Sequence, residues 1–207
     1  MDVFQTPEMA WATIIVAYLL GSIPFGLLFS RYLAGKDPRE HGSGNIGATN
    51  ALRTSGKKVG ILTLLADIGK GALAVAMTEH LQQDEVLIAA VALAAFLGHV
   101  FPIYLKFKGG KGVATMFGVL MPWLPWVALA IFVCWLSLFK ATRYVSLASV
   151  VAGIMLPLVA WLFGVLQWSS DHASALWVCM ILGALMVLRH AGNLKRLWAG
   201  EEPKTGA

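Results

Sequence analysis

The loops of this chain alternate between basic and base-free, and no other feature narrows the possible folds so far. Apolar runs cover Ala10–Leu33, Val59–Thr78, Val86–Leu105, Val113–Met121, Trp123–Phe139, Val145–Leu166 and Ala173–Leu188. Lys36, Arg39, Arg53, Lys57 and Lys58 follow the first run, with Arg31 near its end. The next loop holds Glu79, Asp84 and Glu85 and no base, and the one after it holds Lys106, Lys108 and Lys111. An uncharged turn at Met121–Trp126 precedes Lys140 and Arg143, the segment Gln167–His172 carries Asp171 alone, and Arg189, Lys195, Arg196 and Lys204 close the chain. Of the 16 Lys and Arg, all but Lys70 therefore fall on one side. Bases are retained on the cytoplasmic face of a membrane, which makes that side the inner one. The alternation survives only if Val113–Met121 also crosses, although it spans about 13 Å against a hydrocarbon core of about 30 Å. The pattern thus predicts an all-α polytopic integral membrane protein with seven transmembrane helices, one of them short. Its N-terminus would lie outside and its C-terminus in the cytoplasm, with residues 1–207 as a single domain. The short helix implies a funnel with water on the cytoplasmic side, because its backbone ends need polar partners.

Composition agrees that lipid is the solvent for most of the chain. Only 13% of residues are charged, against about 25% in an average soluble domain. The leader before the first run carries Asp2 and Glu8 and no base, the reverse of a signal peptide's basic start, so this run reads as a retained helix. Pro24 should kink it, and Gly21 and Gly26 would allow close helix contact. Cys134 and Cys179 lie in separate apolar runs, so no metal or redox site is expected and they read as small buried hydrophobes.

Three polar segments share the basic side. In His41-Gly-Ser-Gly-Asn-Ile-Gly-Ala-Thr-Asn50 the glycines match G-x-G-x-x-G, but no apolar strand precedes them, so a dinucleotide fold is excluded. What remains is a loop rich in hydroxyls, amides and backbone N–H groups, with Ser43, Asn45, Asn50 and Arg53 suited to a phosphate or polyol. The second segment, Phe107-Lys-Gly-Gly-Lys-Gly-Val-Ala-Thr115, lacks the Walker spacing. Its Gly109, Gly110 and Gly112 would let backbone approach an anion beside Lys111, where the short helix begins and presents its N–H groups. In the third, Arg189-His-Ala-Gly-Asn-Leu-Lys-Arg196, His190 and Asn193 would share one helix face if the helix continues. Arg189, Lys195 and Arg196 read as interfacial anchors. Ser146 and Ser149, one turn apart, either pack between helices or point into one cavity. Asp67 and Lys70, also one turn apart inside an apolar run, should pair with each other or line a wet cavity.

Taken in order, Gly21-Ser-Ile-Pro-Phe-Gly26, Gly42–Asn50, Gly98-His-Val-Phe-Pro102, Phe107–Thr115, Arg143-Tyr-Val-Ser-Leu-Ala-Ser149 and Arg189-His-Ala-Gly-Asn193 resemble the PlsY family of bacterial acyl-phosphate:glycerol-3-phosphate acyltransferases, across essentially the whole chain. The resemblance implies transfer of a fatty acyl group from acyl phosphate to the sn-1 hydroxyl of glycerol 3-phosphate, giving lysophosphatidic acid and phosphate. It also implies no cofactor, a multi-pass place in the bacterial inner membrane and an active site on the cytoplasmic face. Ser43, Asn45, Arg53 and Lys111 would bind substrate phosphates and glycerol hydroxyls, and Ser149, His190 and Asn193 would surround the acyl phosphate. His99 is expected in a hydrogen-bonding role. The partners implied are glycerol 3-phosphate, long-chain acyl phosphate, membrane lipid and a neighbouring enzyme that makes acyl phosphate, with no nucleic acid. The proton of the attacking hydroxyl could pass to His190 or to a phosphate oxygen of the donor. The competing class is a transporter of phosphorylated metabolites, but the chain shows no internal repeat and gathers its polar motifs at one membrane face instead of the midplane.

Overall fold

The computed structural model describes residues 6–81, 84–166 and 173–205. Among these residues the regular structure is entirely helical, and the contacts cluster into two compact units, Met1–Trp123 and Leu124–Ala207. Five helical stretches are long and apolar enough to cross a bilayer: Pro7–Ala34, Lys57–His80, Glu85–Leu105, Pro125–Thr142 and Val145–Val165. The pair Ala173–Arg189 and Ala191–Trp198, bent by 53°, makes up to six. The segment Gln167–His172, with Asp171, lies outside the described residues.

The first unit begins with α1 (Pro7–Ser22) and α2 (Phe25–Ala34), which divide the first apolar run at Pro24. Proline has no N–H and pushes the preceding residue out of the helical region, and Ile23 is accordingly extended, with φ −61° and ψ 117°. The kink expected at Pro24 is therefore a true break. Helix α2 ends where Gly35 turns left-handed and its N–H returns to the Arg31 carbonyl. A short α3 (Ala48–Ser55) leads into α4 (Lys57–His80), followed by α5 (Glu85–Val100) and α6 (Val113–Trp123). Asp84 caps α5 by accepting the Leu87 N–H at 2.7 Å. Helix α6 extends two residues past the expected Met121, because a proline near a helix end forfeits only one backbone bond.

Buried residues on α4 recur at helical spacing, from Gly60 through Thr63, Asp67, Lys70, Gly71 and Ala74 to Thr78. That stripe packs on α6, while α1 packs on α5. Outward residues such as Ile61, Leu64, Leu65 and Leu73 are apolar and exposed, as a lipid-facing surface requires. Lipid supplies no hydrophobic drive between helices, so close backbone approach has to hold them together. A Cβ on Gly21 would run into the Ala95 carbonyl, and one on Gly98 into the Tyr18 carbonyl. Gly21→Ala should thus lower stability by about 1–3 kcal/mol, read as a lower apparent Tm in detergent. Gly69→Ala is the control. Nothing lies near its Cβ position, and alanine there should be neutral or stabilising, by up to about 1 kcal/mol. Equal loss at both positions would show that the effect is not steric.

The second unit comprises α7 (Pro125–Thr142), α8 (Val145–Val165), α9 (Ala173–Arg189) and α10 (Ala191–Trp198). Helix α8 packs on both α7 and α9. Gly153 and Gly183 face each other, and a Cβ on Gly183 would strike the Gly153 carbonyl.

Candidate active site

In the first unit, the segment between α2 and α3 folds around one side chain. Asn50 is 2% exposed. Its Nδ2 donates to the carbonyls of Pro38 (2.8 Å), Asn45 (2.8 Å) and His41 (3.1 Å), and its Oδ1 accepts the Ser43 N–H at 2.9 Å. Gly42 and Gly44 are left-handed at φ 63° and 68°, a conformation that favours glycine. Asn45 adds a tighter turn, its Oδ1 accepting the Gly47 N–H at 2.8 Å. Asn50 was expected to meet substrate, but both its amide hydrogens and its oxygen already organise the loop. Ser43 remains exposed on this loop, and Arg53 is exposed in the last turn of α3. Asp37 closes the other end, receiving Arg39 Nη2 at 2.6 Å and Arg31 Nη2 at 2.7 Å. Hydrogen bonds from Arg39, and then from Arg31, hold its carboxyl well below the usual carboxylate range.

The Lys111 loop is folded back on the end of α5. Gly110 N–H donates to the His99 carbonyl at 3.1 Å. A Cβ on Gly109 would meet the His99 carbonyl and Pro102, one on Gly110 would meet the His99 ring, and one on Gly112, at φ 85°, would meet the Phe96 ring. These glycines therefore have an internal reason: they let the loop lie on His99 and Phe96. The reading that a ligand's approach requires them is corrected to that extent. Lys111 is half-buried directly before α6.

Under this loop is a buried ionic group. Lys70 Nζ lies 2.8 Å from Asp67 Oδ1, with side-chain exposures of 1% and 3%, so the two pair as anticipated. It also reaches the Ile23 carbonyl and His99 Nδ1, each at 3.0 Å. His99 Nδ1 also lies 3.5 Å from Asp67 Oδ1, so the imidazole joins the buried pair, and its Nε2 edge faces Gly110. The carbonyl exposed by the Pro24 break is thereby tied through Lys70 and His99 to the Lys111 loop.

In the second unit, α9 does not continue through the Arg189–Arg196 motif. It breaks at His190, the residue preceding α10, with φ −99° and ψ 7°. The expectation that His190 and Asn193 share the face of a continuing helix is corrected: His190 caps the break and Asn193 lies in the first turn beyond it, its N–H on the His190 carbonyl at 2.9 Å. Both are buried, at 2% and 8% exposure. His190 Nδ1 lies 2.8 Å from the Met186 carbonyl, which only accepts, so Nδ1 carries a proton.

Ser146 and Ser149, one turn apart on α8, have different surroundings. Ser149 Oγ donates to the Val145 carbonyl at 2.7 Å and accepts from Trp135 Nε1 at 3.1 Å. Ser146, in the first turn of α8, is buried at 5% exposure. Asn193 Nδ2 donates to Glu202 Oε1 at 2.6 Å and Arg196 Nε to Oε2 at 2.8 Å. Burial pushes this carboxyl up, but the bonds from Asn193 and Arg196 outweigh it and hold the group below its ordinary value. Glu202 is absent from the sequence reading. Its one signal was an acid pair, Glu201-Glu202, inside a basic C-terminal segment. Among the described residues no group of three or more His, Cys, Asp or Glu could hold a metal ion.

Helices built for lipid, with amide, hydroxyl and cationic groups collected near helix ends within each unit, define an integral membrane protein. The chain belongs to the glycerol-3-phosphate acyltransferase family, whose sequence model matches residues 11–200. The family works in phospholipid biosynthesis. A glycerol-3-phosphate acyltransferase of Pseudomonas paraeruginosa is 47% identical over 195 residues, covering 94% of this chain and 98% of its own length. That of Bartonella quintana is 43% identical over 199 residues, covering 95% and 92%. Among solved structures, PlsY (YgiH), an integral membrane glycerol 3-phosphate acyltransferase in its glycerol 3-phosphate form, superposes with a TM-score of 0.86 at 41% identity, covering 95% of this chain and 96% of that one. Its lysophosphatidic acid form gives a TM-score of 0.84 at 40% identity, with 95% of each chain covered.

Proposed function

We propose that this protein transfers a fatty acyl group from acyl phosphate to the sn-1 hydroxyl of glycerol 3-phosphate, releasing lysophosphatidic acid and inorganic phosphate. The observation that carries the reading is the near full-length likeness to a PlsY enzyme known in glycerol 3-phosphate and lysophosphatidic acid forms. Both units, residues 1–207, act as one catalytic domain in the bacterial inner membrane, beside an enzyme that forms acyl phosphate. Seven crossings follow if the five long stretches, the bent pair and the short α6 are each counted once. Trp123 at the end of α6 donates to Glu85 at the start of α5, at 2.8 Å. That bond supports α6 reaching the level where α5 begins, and with it an outer N-terminus and a cytoplasmic C-terminus and active site.

Acyl phosphate is a mixed anhydride with phosphate as a good leaving group, so no covalent enzyme intermediate is required. The glycerol oxygen attacks the acyl carbon, the bond from that carbon to the phosphate oxygen breaks, and the hydroxyl proton passes to an oxygen of the departing phosphate. Ser43 and Asn45 on the loop organised by Asn50, Arg53 on α3, and Lys111 on the loop shaped by Gly109, Gly110 and Gly112 would hold phosphate and glycerol hydroxyls. Holding the reactants in register supplies much of the rate. His190, Asn193 and Ser146 would stabilise charge on the acyl phosphate. Ser149 joins them only if its proton swings away from the Val145 carbonyl, which gives up one ordinary hydrogen bond, about 1 kcal/mol.

The test is purified protein in detergent with acyl phosphate and glycerol 3-phosphate, followed for phosphate and lysophosphatidate. Phosphate release that does not depend on glycerol 3-phosphate would overturn the reading. Substituting His190 then locates the proton. His190→Gln should stay within about 10-fold of the parent while His190→Ala falls about 100-fold, because hydrogen bonding, not proton transfer, is asked of this residue. Equal loss in the two variants would make it a general base.

A further inference from the structure

The C-terminal segment turns back along the second unit and is tied down at three points. Glu201 N–H donates to the Arg196 carbonyl at 2.8 Å, and Thr205 N–H to the Arg143 carbonyl at 2.9 Å. Lys204 Nζ lies 5.5 Å from the centre of the Tyr144 ring. Between these ties the side chain of Glu202 is only 7% exposed. Its carboxylate is shared between Asn193 and Arg196 on α10. The matched family segment ends at residue 200, before this strap.

We propose that Glu202 is a positioning residue for the acyl-transfer reaction, acting through the amide of Asn193. A carboxylate can only accept, whereas an asparagine amide offers a donor end and an acceptor end of nearly equal shape. Glu202 therefore sets which end faces it. Nδ2 points at the carboxylate, its second N–H is aimed along a fixed direction, and Oδ1 is turned away. Charge-assisted bonds of this length are the stronger kind, and the second oxygen of the carboxylate is held by Arg196 Nε. The inference rests on the assignment of Asn193 to the acyl-phosphate centre.

A neutral side chain of the same shape removes the directionality without removing the packing. Glu202→Gln should lower kcat about 10-fold, since a small misplacement of a positioned group has effects of this order. KM for glycerol 3-phosphate and apparent Tm in detergent should be unchanged. The decisive measurement repeats the substitution with Asn193→Ala. Residues that act through one another are not additive, so Glu202→Gln should change kcat by less than about 2-fold in that background. A full 10-fold loss in both backgrounds, or a parental kcat in the single variant, overturns the proposal. A chain ending at Gly200 must reproduce the Glu202→Gln defect, and parental turnover by it would equally refute the role. A parent protein without acyl transfer would instead refute the function, so the two failures are told apart.

Discussion

Lys111→Ala is expected to reduce glycerol 3-phosphate-dependent release of phosphate from acyl phosphate at least about 100-fold, while the protein still inserts and purifies as a folded species. Lys111 is half-buried between Gly110 and Gly112, and α6 starts two residues later. An ammonium held there adds a charged hydrogen bond to the positive end of a helix, and such bonds are about twice as strong as neutral ones. Lys108→Ala is the control. Lys108 is exposed on the same loop and is suited to anchoring at the membrane surface, so its removal should leave turnover within about 2-fold. The comparison separates a phosphate ligand from general positive charge. Wild-type-like turnover by Lys111→Ala would remove Lys111 from the site, and equal losses at both lysines would reduce it to electrostatic attraction.

Asp67→Leu alone is expected to destabilise the protein by about 3–5 kcal/mol, because it strands a buried ammonium without its counter-ion. Lys70 meets Asp67 at 2.8 Å with almost no exposure on either side chain, so neither charge can relax into solvent. Adding Lys70→Met should restore most of the loss, since replacing a buried pair with apolar groups is often near neutral. The double variant should still be catalytically weak. Lys70 also ties the Ile23 carbonyl to His99, whose own carbonyl receives Gly110 N–H. Apparent Tm in detergent reads the first effect and kcat/KM the second. A double variant as unstable as Asp67→Leu would mean that the pair is not the source of the loss, and full activity in a stable double variant would sever His99 from the Lys111 loop.

The spans could be read because lipid imposes long apolar runs and satisfied backbones, and both demands are written in local composition. The break at Pro24 was legible for the same reason, since a missing N–H acts on its own neighbours. The polar motifs could likewise be located, as glycine, amide and cationic residues have little other use beside lipid-facing helices. Their individual roles were less legible. Asn50 looked like a ligand residue until four hydrogen bonds showed it organising its own loop. The glycines around Lys111 looked like a cradle for an anion, yet His99, Pro102 and Phe96 already require the missing Cβ atoms. The acid pair Glu201-Glu202 was the one trace of Glu202's role, because its partners on α10 meet it only after the C-terminal segment folds back.

Sequence by itself therefore determined the helical membrane class, the family and the segments where polar chemistry gathers. Each of these follows from composition, periodicity or an ordered set of short motifs. Tertiary structure alone decided the break at His190, the meeting of His99 with the Asp67–Lys70 pair, the saturation of Asn50 and the clamp of Glu202 on Asn193. Those depend on which donor meets which acceptor across distant parts of one unit, and a carbonyl or carboxylate fixes its partner's orientation only after packing brings the two within hydrogen-bonding distance.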